Sequence, residues 1–435
     1  MTKMWPVGLS LALTALIAGA SPLRAEDVGG VVVRGFVSQG FLKSSANKFL
    51  TTDSDEGTFA FTEAALNFTA QPVSKVRVGA QLFARDLGRQ GNNRVVLDWG
   101  IGEYRAWDPL GFRAGRIKFP VGLYNTLQDA DVARPEIFQP SGVYPPERRD
   151  ITNAIDGGGV FGTIRLGGAG YLEYEGEYGT LDLDDSYVLG RATNQIGAAL
   201  VPALAASLRL TGITYQVFNM KGHSKRAYTT YAEWHPPLAG LRLRTGLQGA
   251  NIDFGATTTY TAFSPSPLGP TPVALSVRSD ANMDVRQLVL SAEYARGGLR
   301  LTAEHIRVRT ETVTALSNTP FPAPPAVPQV IYPSSTYGQL AYRFNEHAQV
   351  SGYYSVSYAN RKDKEGLTLV QRGRPASDAY TKDLSFTLRV DVNAHVLLKG
   401  EYHRFDGSSN LTQLDNPKPL EPKWNLFAIK TTFHF

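Results

Sequence analysis

Asn425-Leu-Phe-Ala-Ile-Lys-Thr-Thr-Phe-His-Phe435 is the last stretch of the sequence. Residues two apart share a face of a β-strand. Phe427, Ile429, Thr431, Phe433 and Phe435 therefore fall on one side, and Leu426, Ala428, Lys430, Thr432 and His434 on the other. A strand with one dry and one wet side that stops on an aromatic residue reads as the closing strand of a barrel crossing a bacterial outer membrane. The closing strand of a soluble β-sandwich is the other reading of the same alternation.

The opposite end favours the barrel. Met1-Thr-Lys-Met is positively charged, Leu9 to Ala20 is apolar, and Leu23-Arg-Ala25 offers a small residue before Glu26. Residues 1–25 are thus expected to be a cleaved secretory signal peptide, too short in its apolar run to span about 30 Å of hydrocarbon. Residues 26–435 would be one domain. With no later apolar run long enough for a spanning helix, a closed barrel is the remaining way to cross a membrane. The expected location is the cell outer membrane, among lipid and lipopolysaccharide. The chain has no cysteine, which removes disulfides, thiol nucleophiles and thiolate metal sites. The net charge of +5 falls to about +3 without Lys3 and Arg24, too balanced for a nucleic-acid binder. Mean hydropathy is mildly polar at −0.19, as for a barrel with a wet interior.

Eight short turn signals punctuate the sequence: Gln71-Pro-Val-Ser, Asp108-Pro-Leu-Gly, Gly167-Gly-Ala-Gly, Pro202 to Ser207, His235 to Gly240, Arg296-Gly-Gly, Asn345-Glu-His and Val392-Asn-Ala. Gly, Pro, Asn and Asp suit tight hairpins. Longer connectors fall between them, the largest being 119–156, 251–282, 311–334, 359–377 and 407–422. Alternating short and long connections match a barrel with short periplasmic turns and long extracellular loops. The count gives an all-β, transmembrane antiparallel β-barrel of 16–18 strands, 18 by direct count. The hairpin around 187–219 is the one whose loss gives 16. A slip in alternation suggests a bulge near His305 to Arg309. Flanking segments put Val76, Val78, Ala80 and Leu82 opposite Arg77 and Gln81. Likewise Leu241, Leu243 and Leu247 oppose Arg242 and Arg244, and Leu384, Phe386 and Leu388 oppose Asp383, Thr387 and Arg389. The apolar sets should face lipid and the polar sets the lumen.

Residues 119–156 form the third outer connector. Prolines forbid regular pairing there, and Asp129, Asp131, Glu136, Glu147 and Asp150 stand against Arg134, Arg148 and Arg149. Folded into the lumen, this loop would narrow a pore and place charge at its narrowest point; otherwise it is an outward, solvated loop. Asp129, Asp131, Arg134, Arg148 and Arg149 are the constriction candidates. Arg77, Arg85, Arg242, Arg244, Lys399 and Glu401 are the wall candidates.

Gly115-Arg-Ile-Lys-Phe-Pro-Val-Gly-Leu-Tyr124, with Ala133-Arg-Pro135, Val143-Tyr-Pro145 and Asp156-Gly157, resembles the signature of bacterial porins related to the phosphate-selective porin O/P family. Leu290 to Tyr294, Tyr337 to Phe344, Tyr380 to Leu384, Lys399 to Tyr402, Asp406-Gly407 and Trp424 to Phe435 are similar in the same order. The resemblance implies a passive outer-membrane diffusion channel, a homotrimer with one pore per subunit. Its phosphate-selective members are marked by a ladder of lumen-facing basic residues. Here Arg77, Arg85, Arg242, Arg244 and Lys399 compete with Glu173, Glu175, Glu177, Glu293 and Glu401. The expected solutes are therefore small polar or ionic ones with a weak preference for anions. A channel specific for phosphate, other anions or small organic compounds is the alternative, as is a barrel without an open pore.

Enzyme chemistry is not expected. The seven histidines form no metal-ligand motif, no nucleophile elbow or phosphate-cradling loop is present, and no cofactor or metal is implied. His403 and Glu401 share a strand face and read as a lumen-facing polar pair. Two proline-rich, nearly uncharged stretches, 261–276 and 317–333, carry Phe263, Leu268, Val273, Phe321, Val327, Val330 and Ile331. They are either rigid outer loops or a surface for a partner.

Overall fold

In a ring of antiparallel strands every backbone donor and acceptor finds a neighbour, so no edge is left open. The computed structural model describes residues 26–435 except 89, 184–186, 268, 321, 412–414, 417 and 418. The expected signal peptide, Leu268 and Phe321 lie outside the described residues. The strands are β1 (Glu26–Val28), β2 (Val31–Ser44), β3 (Thr62–Val73), β4 (Val76–Asp86), β5 (Val96–Trp107), β6 (Leu110–Lys118), β7 (Ala154–Arg165), β8 (Tyr171–Thr180) and β9 (Thr211–His235). They continue as β10 (Leu241–Ser264), β11 (Thr271–Arg296), β12 (Leu299–Ser317), β13 (Gln329–Ile331), β14 (Ser334–Arg343), β15 (Ala348–Tyr358), β16 (Tyr380–Asp391), β17 (Val396–Gly407) and β18 (Lys423–His434). Helices are α1 (Arg149–Thr152), α2 (Tyr187–Leu208) and α3 (Leu367–Gln371), with short 3₁₀ turns.

Among the described residues the eighteen strands join one sheet. The three-residue β1 and β13 are appended to β2 and β12, which leaves sixteen in the ring. The ring closes where β18 pairs antiparallel with β2, in register Phe433↔Val37 to Leu426↔Ser44. Phe435 completes the seam: its N–H donates to the Gly35 carbonyl at 3.0 Å and its carbonyl accepts the Gly35 N–H at 3.2 Å.

Sixteen replaces the eighteen obtained by counting turns. Seven of the eight turn signals join ring strands, but Pro202 to Ser207 lies inside α2. Ala198, Ala199, Ala203, Ala205 and Ala206 are strong helix formers without the β-branching that strands favour. Leu200, Leu204 and Leu208 recur every four residues and pack on Tyr260 and Val277. Tyr260 also donates its hydroxyl proton to the Gly197 carbonyl at 2.8 Å. The expected long connector 251–282 is likewise corrected: β10 continues to Ser264 and β11 resumes at Thr271. Strands β9 to β12 run for 25, 24, 26 and 19 residues, against 9–14 in the rest of the ring. One side of the barrel therefore stands taller at its loop end, and α2 covers the inner face of that extension. No bulge interrupts His305 to Arg309, which pairs residue for residue with Leu290 to Arg286.

The two faces have the chemistry the alternation calls for. Val78, Leu247, Leu290, Leu340, Phe386, Leu388, Leu398 and Ile429 point outward and are exposed. Trp107, Phe112, Trp234, Tyr342 and Phe344 form an outward aromatic belt close to the short turns. Inward positions are polar and buried, among them Ser351, Ser355, Asp383, Ser385, Thr387 and Glu401. Removing Leu204, which is fully buried, should undock α2 while sparing the ring. Leu204→Ala is expected to cost about 2–4 kcal/mol locally. Amide exchange should accelerate within 187–208 and stay slow in β14 to β18; uniform acceleration would contradict that separation.

Candidate functional site in the barrel interior

Residues 119–153 carry Pro120, Pro135, Pro140, Pro145 and Pro146, so their backbone cannot be satisfied by a strand ladder. Beyond the 3₁₀ turns at Asn125–Leu127, Asp131–Ala133 and Pro146–Arg148, the polar groups need partners from elsewhere. Side chains on the inner face of the ring supply them from both sides. Lys399 on β17 donates to the carbonyls of Asp131, Arg134 and Glu136 at 2.8, 2.9 and 2.9 Å. Glu401 accepts the N–H groups of Ile137 and Phe138 at 2.7 and 2.9 Å. Arg389 on β16 donates to the Val132 carbonyl at 2.8 Å. Across the barrel, Glu304 on β12 accepts the Leu123 N–H at 2.9 Å and the Tyr144 hydroxyl. Arg244 on β10 donates to the Gly122 carbonyl at 2.7 Å, and the Tyr124 hydroxyl donates to Glu293 on β11. The segment thus crosses the barrel interior.

Apolar packing fixes both ends of the crossing. Val121, Leu123, Tyr124, Val143 and Tyr144 pack on Val289, Ile306, Tyr337 and Tyr353. Ile137 and Phe138 pack with Phe49, Phe61, Phe405 and Trp424, and Phe61 stacks on Phe138 at 5.4 Å. Backbone approaches are close. A Cβ on Gly142 would lie 2.0 and 2.2 Å from the hydroxyls of Ser357 and Ser335 on the wall, and Gly122 adopts φ +55° beneath Tyr144.

Four of the five constriction candidates are buried and paired. Asp129 accepts from Arg149 at 2.6 Å and from Lys118 at 2.8 Å. Asp131 meets Lys430 at 2.7 Å, Arg134 at 3.1 Å and Lys399 at 3.7 Å. Arg149 also donates to Asp98 at 2.6 Å and lies 3.9 Å above the Phe83 ring. Burial pushes both aspartate carboxyls up. Arg149 and Lys118 outweigh it at Asp129, as do Lys430, Lys399 and Arg134 at Asp131, so both sit well below the usual range. Arg148 differs, with its side chain exposed.

All six wall candidates face inward, in different circumstances. Arg77, half exposed near the turn end, meets Glu103 at 3.1 Å. Arg85 is buried and meets Asp150 of the crossing segment at 2.9 Å. Arg242 pairs with Glu293 at 2.9 Å and Arg244 with Glu233 at 2.6 Å. Lys399 and Glu401 lie wholly under the segment. The expected His403–Glu401 pair forms at 2.8 Å, and Asp383 takes the other ring nitrogen at 3.0 Å. Sequence reading missed Lys430, Glu304, Arg389 and Asp98 as anchors. The first three occupy polar positions of alternating strands, which gave their face but not what lies against them.

Between the segment and the wall lies a cavity of about 50 Å³, bordered by Glu63, Arg85, Asp129, Arg134, Arg149 and Lys430. No cation site was expected, yet Glu173, Glu233 and His235 bring ligand atoms within 4.8 Å of one another near the turn end. Glu233 already accepts from Arg244, and His235 stacks on Tyr171 at 4.3 Å.

No protein-family model matches the chain, and no curated protein matches it. Several solved structures are similar to it over most of its length. Salmonella typhi OmpF in complex with daunomycin is 11% identical, with 93% of this chain and 97% of that chain covered and a TM-score of 0.50. The loop L8 deletion mutant of OmpT, an outer membrane protein of Vibrio cholerae, is 11% identical over 93% and 99%, at 0.48. An anion-selective porin from Comamonas acidovorans is 11% identical over 93% and 99%, also at 0.48.

Two outcomes test the docking of the segment. Lys399→Met takes the ammonium donor from the buried carbonyls of Asp131, Arg134 and Glu136 and removes one of the three cations around Asp131, a loss of about 3–5 kcal/mol. Trypsin should then cut after Arg148 or Arg149 in the folded protein, where the unaltered chain resists. Glu136 is buried, and desolvation with the nearby Glu401 charge raises its carboxyl to about 7. Its folded-state value exceeds the unfolded one, so docking is favoured below about pH 4.5 and loses that contribution as pH rises through about 7. Glu136→Gln should flatten the dependence of trypsin resistance on pH between 5 and 8.

Proposed function

We propose that the chain is an outer-membrane porin, a passive diffusion channel for small polar or ionic solutes. One observation carries the reading: a closed ring of sixteen strands, apolar outside and polar inside, holds a charged segment across its interior. An apolar band with an aromatic belt suits lipid, and a ring of this size leaves room for an aqueous channel. In this reading the short turns face the periplasm and the long loops the outside. Residues 1–25 are removed as a signal peptide, and residues 26–435 form the channel, packed as homotrimers among lipid and lipopolysaccharide. It needs neither catalysis nor a cofactor.

Kinship with the phosphate-selective porin O/P family is part of this reading, supported by the motifs from Gly115 to Tyr124 and their downstream companions. Weak anion preference is supported by the cavity border, where Arg85, Arg134, Arg149 and Lys430 outnumber Glu63 and Asp129. Since acids already neutralise much of that charge, strong selectivity is not part of the proposal. The small cavity favours a narrow passage, and with it a second reading as a substrate-selective channel.

Purified protein in planar bilayers should give stepwise conductance, and a salt gradient should give a small anion-directed reversal potential. Arg148→Glu, altering the exposed arginine of the segment, should shift the permeability ratio toward cations about twofold at 0.1 M salt. Absence of steps from correctly inserted protein would overturn the channel.

The outward face offers a separate check. Phe386→Arg places a charge on the apolar band and should cost about 2–4 kcal/mol of folding stability in vesicles if it sits at mid-bilayer. Urea titration in lipid vesicles measures it; an unchanged midpoint would speak against burial in lipid.

A further inference from the structure

The outward face of β9 to β12 changes chemistry in three tiers along its strands. Nearest the turns is an apolar groove of about 540 Å³, with Ala232, Ala292 and Ala303 as its floor and Trp234, Leu243 and Leu290 beside them. The small side chains make it concave where neighbouring strands carry Leu, Phe or Tyr.

The next pairs along β11 and β12 are Leu290↔His305, Leu288↔Arg307 and Arg286↔Arg309. At about 3.3 Å per residue, the first arginine comes about 7 Å beyond the groove's edge at His305. Loop residues Arg361 and Lys362 join this level. Arg361 donates to the Val308 carbonyl at 3.2 Å, and the Lys362 ammonium sits 3.9 Å from the Tyr332 ring centre. Two acids lie among the five cations: Asp284 accepts from Arg286 at 2.8 Å, and Glu311 pairs with Arg309. Arg307 instead donates to His305 Nε2 at 3.0 Å and is exposed. The phenol of Tyr332 is held below its ordinary value by Lys362 and Arg309, a sign of local positive potential.

Farther along, the face carries amides and hydroxyls interspersed with the neutralised pairs Arg278–Asp280 and Lys225–Asp253. Asn251 and Asn282 exchange side-chain hydrogen bonds at 3.3 and 3.1 Å; Thr214 meets Thr261 at 2.7 Å and Thr259 meets Ser276 at 3.0 Å. The opposite face of this extension is covered by α2.

We propose that this face binds a phosphorylated glycolipid: an acyl chain in the alanine-floored groove, phosphates on the Arg286, Arg307 and Arg309 belt, and sugars along the Asn and Thr face. Charge complementarity and the order of the tiers select this occupant. A phospholipid would use the first two and leave the third bare. The inference rests on the outer-membrane reading, because only there would such a lipid lie beside the barrel.

The test uses the full-length protein, purified in nonionic detergent and freed of lipid, with hexa-acylated rough lipopolysaccharide and phosphatidylglycerol as separate probes in native mass spectrometry. Lipopolysaccharide should bind at least about tenfold more tightly than phosphatidylglycerol. The double variant Arg286→Glu/Arg307→Glu should weaken it by about tenfold or more. Ala303→Trp fills the groove without touching the belt and should also weaken it, which keeps the test decisive if the double variant fails to fold. Equal affinity for the two probes, or folded variants that bind as well as the unaltered protein, would overturn the proposal. Single-channel conductance of the same preparations separates the two readings. Conductance without lipopolysaccharide preference sinks the glycolipid site alone, and loss of all conductance in the unaltered protein sinks the channel beneath it.

Discussion

The pairing of β18 with β2 is the constraint on which the rest depends. An open sheet of sixteen strands would present two edges of unpaired backbone, and neither lipid nor a polar interior could be sorted to its own side. Closure makes the side-chain period of two into a statement about inside and outside. Ile429 and Phe427 can be bare and apolar on β18 because Lys430 and Ala428 turn inward. The last residue takes part directly, since Phe435 exchanges two backbone hydrogen bonds with Gly35.

Closure also creates the problem that the crossing segment answers. Inward side chains of a wide ring have no core to pack against, and charges there are costly unless paired or hydrated. Residues 119–153 bring peptide groups, aspartates and arginines into that space. A buried Lys399 is tolerable because three carbonyls and Asp131 surround it. Asp131 is tolerable in turn because Lys430 and Arg134 hold it. The loop and wall thus satisfy one another, and the width of any passage is set by their agreement. The same ionic groups that rigidify the interior leave few bare charges to attract a solute, which is why modest selectivity fits the geometry better than a dense cationic pathway.

Much of this was legible in the sequence. The alternation at Val76 to Leu82, Leu241 to Leu247 and Leu384 to Val390 gave both faces correctly, and seven turn signals fell at real turns. The eighth fails because Pro202 to Ser207 has the proline of a turn yet lies inside the helix Tyr187–Leu208. The four-residue recurrence of Leu200, Leu204 and Leu208 was the overlooked sign of a helix. Connector 251–282 failed for a related reason: threonines and asparagines on a strand exposed to water look like loop when the apolar partner face is packed by a distant helix. At the site, the sequence placed charge in the right segment but could not show that Lys399 and Glu401 lie beneath it. That depends on contacts spanning more than 260 residues.

The most direct measurement exploits the absence of cysteine from the chain. Single cysteines at Leu172, Glu173, Tyr174, Glu175 and Tyr178 on β8, labelled with an environment-sensitive fluorophore in vesicles containing brominated lipid, report which side chains touch hydrocarbon. Strong quenching at 172, 174 and 178 with little at 173 and 175 is the expected result. Uniform quenching, or none at any position, would contradict the claim that this ring faces lipid outside and water within.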